Sequence, residues 1–238
     1  MATQYSPKTV TDGLVLCLDS SNIKSYISGS DTWSDLSGNN ITASFNNPGS
    51  SSFSNGAIVF TPSSSIVDSP IGSFYRITDS RISSLTTELT LETWVNPSIL
   101  EVGTPSSRPV SPRITEAGQP IGFGLYFNKI AVEINTTTGW NTSQITNTNI
   151  APNQWVHITQ TTSDSVKSFK TYINGTLVRD STFTGTPNSG GGLLIGRGFY
   201  GGLYNYSGSI AIVKYYNRAL TPDEVTQNFN ATRGRFGI

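Results

Sequence analysis

Hydrophobic positions along this chain fall in short runs, and nearly every run is closed by Gly, Pro, Asn or Ser. The runs cover 14–18, 57–61, 89–95, 123–127, 130–134, 155–161, 169–173, 193–195 and 210–216. Short apolar segments with that punctuation read as strands and turns. Several alternate: across 89–95, Leu89, Leu91 and Val95 share one face while Glu92 and Trp94 share the other. Asn174-Gly175, between two such runs, supplies the positive φ values of a tight hairpin, and Asn128-Lys129 suggests a second. The period changes only near the end. Thr221 can cap a helix, Pro222 suits its first turn, Glu224 completes a capping box, and Val225 and Phe229 give an apolar edge. The pattern predicts an all-β, two-sheet antiparallel sandwich with one short helix near 222–230.

No linker divides the runs, so residues 1–238 read as one domain of a length that β-sandwiches commonly reach. The stretch 103–120, with Pro105, Pro109, Pro112 and Pro120, reads as a long surface loop, and 231–238 as a C-terminal tail. Cys17 is the sole cysteine, which excludes an internal disulfide framework, and its apolar neighbours suggest an inert thiol. Formal charge is zero and 13% of residues are charged, leaving no basic field for a phosphate backbone. No apolar run approaches the ~20 residues of a membrane span, and residues 1–11 lack the pattern of a secretory signal. The expectation is a chain made in a cytoplasm, with neither nucleic acid nor membrane as partner.

Candidate chemistry is sparse. Glu92 stands alone on its strand, and a glycosidase needs two carboxylates; Glu88 and Glu133 are not forced together by the sequence. His157 is the only histidine, so a multi-histidine zinc site is excluded and a structural role is expected. Gly196-Arg197-Gly198-Phe199-Tyr200-Gly201 matches a dinucleotide fingerprint literally, but a turn-rich loop follows where a helix must begin. Asp19, Asp31, Asp35, Asn39 and Asn40 gather in the first loops. Their oxygens suit calcium, with Asp19, Asp35 and Asn39 the first candidates, and they equally suit turn capping. Trp140, in a polar stretch, and Phe199, Tyr200 and Tyr204, in a glycine-rich one, are candidate ligand contacts; each can alternatively close an end of the core.

Six segments in order carry a resemblance: 13–19, Trp33-Ser34-Asp35-Leu36-Ser37-Gly38-Asn39, 89–96, Gln154-Trp155-Val156-His157-Ile158, Tyr172-Ile173-Asn174-Gly175 and 208–220. The run Tyr215-Tyr216-Asn217-Arg218-Ala219-Leu220-Thr221-Pro222-Asp223-Glu224-Val225 is the strongest piece. The set resembles laminin G-like domains of the concanavalin A-like lectin and glucanase superfamily. The resemblance implies a jelly-roll whose concave face and rim loops hold glycans, often with calcium. Retaining hydrolases of that superfamily carry Glu-x-Asp-x-Glu, which is absent here. The beginning and the tail resemble versions in virion proteins of tailed phages. What this implies is a non-enzymatic virion structural or decoration protein, located in the virion, present in many copies and binding host-surface glycans. It would contact other virion proteins and require no cofactor, with calcium as the metal its loops admit. The alternatives are a purely structural capsid, neck or tail component, a glycoside hydrolase, or a free secreted lectin. The 103–120 loop and the Arg233-Gly234-Arg235-Phe236 tail are candidate attachment segments, and packing beside the first strand is the tail's other reading.

Overall fold

A computed structural model describes residues 7–46, 51–61, 73–84, 87–98, 107–112, 121–126, 129–188, 191–197 and 206–238. The first sheet is built from β1 (Leu14–Asp19), β4 (Ser51–Ser54), β5 (Ala57–Phe60), β7 (Glu88–Pro97), β12 (Val156–Ser163), β13 (Ser168–Ile173), β14 (Thr176–Thr182) and β16 (Gly208–Tyr216). Its order is β14-β13-β12-β7-β16-β5-β4, with β1 also paired to β16. The second contains β2 (Thr32–Ser34), β3 (Thr42–Asn46), β6 (Phe74–Ile77), β8 (Ser107–Pro112), β9 (Ile121–Tyr126), β10 (Lys129–Thr136), β11 (Gly139–Asn149) and β15 (Leu193–Ile195). Its order is β11-β10-β9-β8-β15-β6-β3-β2. The pairings within both sheets are antiparallel. A single turn, α1 (Ser80–Ser83), follows β6, and α2 (Pro222–Thr232) runs into a 3-10 turn at Arg233–Phe236.

Alternation explains the layering. Leu89, Leu91 and Val95 of β7 join Ile158, Val213, Trp33, Ile77 and Val132 in one core between the sheets. Strand β16 needs a correction to its period to do this. Its register with β7 slips between Ile210 and Ile212, so Ala211 is a bulge. The slip puts Ile210 in the inter-sheet core and Ile212 on the outer face, two residues that strict alternation would leave on one side.

Each of the nine expected runs contains a strand. The hairpin turn Asn174-Gly175 has φ values of 50° and 76°, which only residues tolerant of left-handed backbone supply. For the other expected hairpin, β9 and β10 pair with Tyr126 opposite Lys129, while Asn128 lies outside the described residues. The helix begins where its capping box predicted: Thr221 accepts from the Glu224 amide, and Glu224 accepts from the Thr221 amide. One expectation is corrected. Residues 107–112 of the presumed 103–120 loop form β8, between β9 and β15. Pro109 is tolerated because the register with β9 slips between Ser107 and Val110, where no regular ladder needs its missing N–H. Residues 103–106 and 113–120 lie outside the described residues.

Candidate functional site

The outer face of the first sheet carries the densest polar chemistry among the described residues. Cross-strand register places Lys214 beside Glu92 and Glu92 beside Thr159, with Ile212, Trp94 and His157 in the adjacent row. This face is covered. Val225 and Phe229 of α2 and Phe236 of the closing turn lie on it, with Phe236 stacked 4.0 Å from Trp94 at 17°. Glu92 is 0% exposed. Lys214 Nζ donates to its Oε1 at 2.8 Å and Asn228 Nδ2 donates to its Oε2 at 2.7 Å. Asn228 also donates to the Tyr216 hydroxyl and accepts from the Val10 amide, and Tyr216 donates to the Val10 carbonyl. Burial by itself would push the Glu92 carboxyl up. Lys214 and then His157 outweigh it and hold the group at about 2. His157 is fully buried, packed on Trp94, with Nε2 3.3 Å from Glu92 Oε1 but without hydrogen-bond alignment.

This arrangement is structural chemistry. A carboxylate sealed from solvent and bound to an ammonium can neither donate a proton to a glycosidic oxygen nor attack a sugar. Glu88, on the same strand, accepts from Ser163 and Ser165. Glu133 belongs to β10 of the other sheet, and its side chain lies outside the description. Cys17 is half-buried, and burial pushes its thiol up to about 11, which keeps it protonated.

The Asp35 and Asp19 carboxylates of the first loops are engaged locally. Asp35 accepts from the Cys17 and Ser37 amides through Oδ1, and from Ser37 Oγ and the Asn39 amide through Oδ2. Asn39 Nδ2 donates to the Val15 carbonyl, so this loop is stitched to β1. Asp19 Oδ1 accepts from Ser21 and, at 2.6 Å, from Arg235. Among the described residues no three His, Cys, Asp or Glu side chains gather as metal ligands. Arg235 also donates to the Gly56 carbonyl, so the 233–236 tail packs beside β1 and its neighbours. Trp140 stands on β11 opposite Asn135, with its side chain outside the description; Phe199, Tyr200 and Tyr204 lie outside the described residues.

Two surface grooves stand out among the described residues. One, about 680 Å³, runs along the closing turn past Asp19, Ile212, Arg233 and Arg235. Its cations are partly committed: Arg235 to Asp19, and Arg233 5.8 Å over the Phe229 ring. The other, about 420 Å³, opens where edge strand β4 of the first sheet meets the β2–β3 edge of the second. Tyr26, Phe45 and Phe53 line it together with Asp31, Ser28 and Ser52. Tyr26 is held in place by edge contacts with Trp33 and Tyr75, and its ring centre lies 5.5 Å from that of Phe53. Sequence reasoning named Asp31 but passed over these aromatics. The available signal was Phe53 itself, an isolated ring in Ser51-Ser52-Phe53-Ser54.

A family model described as the concanavalin A-like lectin/glucanases superfamily matches residues 72–226. No curated protein matches the sequence. Among solved structures, the binding domain of Paraclostridial Mosquitocidal Protein 1 is similar with a TM-score of 0.68 and 19% identity over 93% of this chain. The binding domain of botulinum neurotoxin DC in complex with SialylT has a TM-score of 0.69 and 14% identity over 93% of this chain. The chain spans about half the length of these two toxin domains, covering 52% of each. Domain 4 of AbnA, a GH43 extracellular arabinanase from Geobacillus stearothermophilus, in complex with arabinotriose, has a TM-score of 0.64 and 19% identity. That match covers 90% of this chain and 97% of the arabinanase domain. At these identities the likeness shows the shared fold.

Proposed function

The chain belongs to the concanavalin A-like lectin/glucanases superfamily, and from that premise we propose that it is a non-enzymatic carbohydrate-binding module carried on a virion. The observation that carries the choice of binding over hydrolysis is the commitment of Glu92, which is fully buried and ion-paired to Lys214. The ligand class draws support from two relatives of the same fold that hold arabinotriose and SialylT. Adhesion through many copies would amplify a weak single site. A glycan array probed with a multivalent form of the chain tests binding, and signal on defined glycans is expected. Reducing-sugar release above a heat-treated control would overturn the non-enzymatic part. The virion setting rests on the resemblance of the beginning and tail to phage virion proteins. Mass spectrometry of purified particles tests it, and absence of the chain from them, with free protein in the medium, would reject it. A second reading is a purely structural virion component. Ile23 and Ile27, 81% and 69% exposed, favour it as an apolar contact for a neighbouring protein.

A further inference from the structure

We infer that the groove between β4 and the β2–β3 edge is the saccharide site, and that it selects a short neutral glycan over an acidic one. This assignment rests on the proposed carbohydrate-binding function and adds its location and ligand class. The groove offers two unlike surfaces. Its aromatic side is Phe53, 36% exposed, set against Tyr26 and beside Phe45, whose ring centre is 4.8 Å from that of Tyr75. Tyr26 belongs to the core and Phe45 packs against it, so these two rings are already in place before a ligand arrives. The polar side is Asp31 with the hydroxyls of Ser28, Ser51 and Ser52.

Asp31 differs from most of the other described aspartates. Asp12, Asp19, Asp79, Asp164 and Asp180 each face an Arg or Lys within 4 Å. The Asp31 carboxylate has no ion-pair or hydrogen-bond partner among the described residues, although its backbone carbonyl accepts from Phe45. The hydroxyls of Ser28, Ser51 and Ser52 likewise have no hydrogen-bond partner among the described residues. Ser51 and Ser52 stand on β4, while the loop that presents Ser28 and Asp31 is set by Gly29, at φ 82°, in a turn closed by the Ser30 amide on the Ile27 carbonyl at 2.9 Å. A Cβ at Gly29 would touch nothing within 4 Å, so the turn faces open space.

The complement of an aromatic wall and an unpaired hydrogen-bond rim is a molecule with one C–H-rich face and many hydroxyl donors. A sugar ring is that molecule: its apolar face covers Phe53 while its hydroxyls donate to Asp31. Among the described residues no Lys, Arg or His lines the groove, so a carboxylated sugar would meet Asp31 there without a counter-charge. The volume, about 420 Å³, lies within the range of small-ligand sites, at its lower end, which suits a terminal sugar and part of its neighbour.

The test uses the full chain in multivalent form against arabinotriose, maltotriose, lactose and 3′-sialyllactose, with Phe53→Ala and Asp31→Asn beside wild type. Binding to at least one neutral sugar is expected, weakened about tenfold or more by each substitution, with melting temperatures shifted by no more than about 4 °C. Binding by wild type that both variants retain would overturn the site and leave carbohydrate binding standing. A preference for 3′-sialyllactose would overturn the neutral selectivity. Wild type that binds no glycan on a broad array, but captures a protein through this groove, would overturn the site together with the proposed function.

Discussion

Under α2, Trp94, Glu92 and Tyr216 stand on the outer face of the first sheet; where β3 and β4 meet, Phe53, Asp31 and Tyr26 line a groove open to water. Both regions combine rings, a carboxylate and hydroxyls. They differ in what lies over them. The C-terminal segment returns to the sheet and supplies Asn228, Phe229 and Phe236, which complete the hydrogen bonds of the first set and remove it from solvent. Nothing among the described residues supplies the Asp31 carboxylate with a donor. The residue types are therefore uninformative until the covering element is known: closed polar networks hold the fold, and open ones hold ligands.

Breaking the closed region should have the largest effect. Lys214→Met leaves the Glu92 charge buried against His157 and Asn228 alone, and about 3–5 kcal/mol of stability should be lost in urea unfolding. Replacing Glu92, Lys214 and His157 together by apolar residues of similar volume should recover much of that loss, because no charge is left unpaired. Phe236→Ala should cost less, about 1–3 kcal/mol, since Phe236 is only half-buried where it stacks on Trp94.

Acid should distinguish the same region. The Glu92 carboxyl is held below its ordinary value of 4.5, at about 2, so its contribution to stability is fully present above about pH 4.5. It is lost as pH falls toward 2. Glu224, held at about 2 by the Arg218 guanidinium, acts in the same direction at the helix start. The urea midpoint of wild type should therefore fall between pH 5 and pH 3, and Glu92→Gln should show a shallower fall with the Glu224 part remaining. An equal slope in both proteins would remove Glu92 from the account. In the open region, Phe53→Ala should shift unfolding by no more than about 0.5–1 kcal/mol while weakening glycan binding. Val166→Ser, at an exposed position in the turn between β12 and β13, should change neither stability nor binding, within about 0.5 kcal/mol.

Much of the fold was legible because the inter-sheet core writes itself into alternation, as in Leu89, Leu91 and Val95, and because a capping box marks the start of α2. Strand β11, GWNTSQITNTN, was illegible: it sits at a sheet edge and carries few apolar residues. Strand β8 was hidden by its prolines, which read as loop until the slipped register shows how they are accommodated. The sealed face was illegible for another reason. On β7, Glu92 in alternation looks like a solvent-facing residue, and its cover comes from Asn228, 136 positions away. The first-loop aspartates were visible as oxygen ligands, but sequence cannot tell Asp35, whose oxygens take up its own loop, from Asp31, whose carboxylate has no partner among the described residues. Tyr26 comes from the loop before β2, Phe45 from β3 and Phe53 from β4, and only the meeting of two sheet edges joins them.

The most direct test is a crystal structure of the chain with a neutral oligosaccharide that it binds. Sugar density against Phe53, with ring hydroxyls at Asp31 and α2 still seated over Glu92, is the predicted result. Density in the groove beside Arg233, or on the face exposed by displacement of α2, would contradict the assignment of the closed region to structure and the open one to binding.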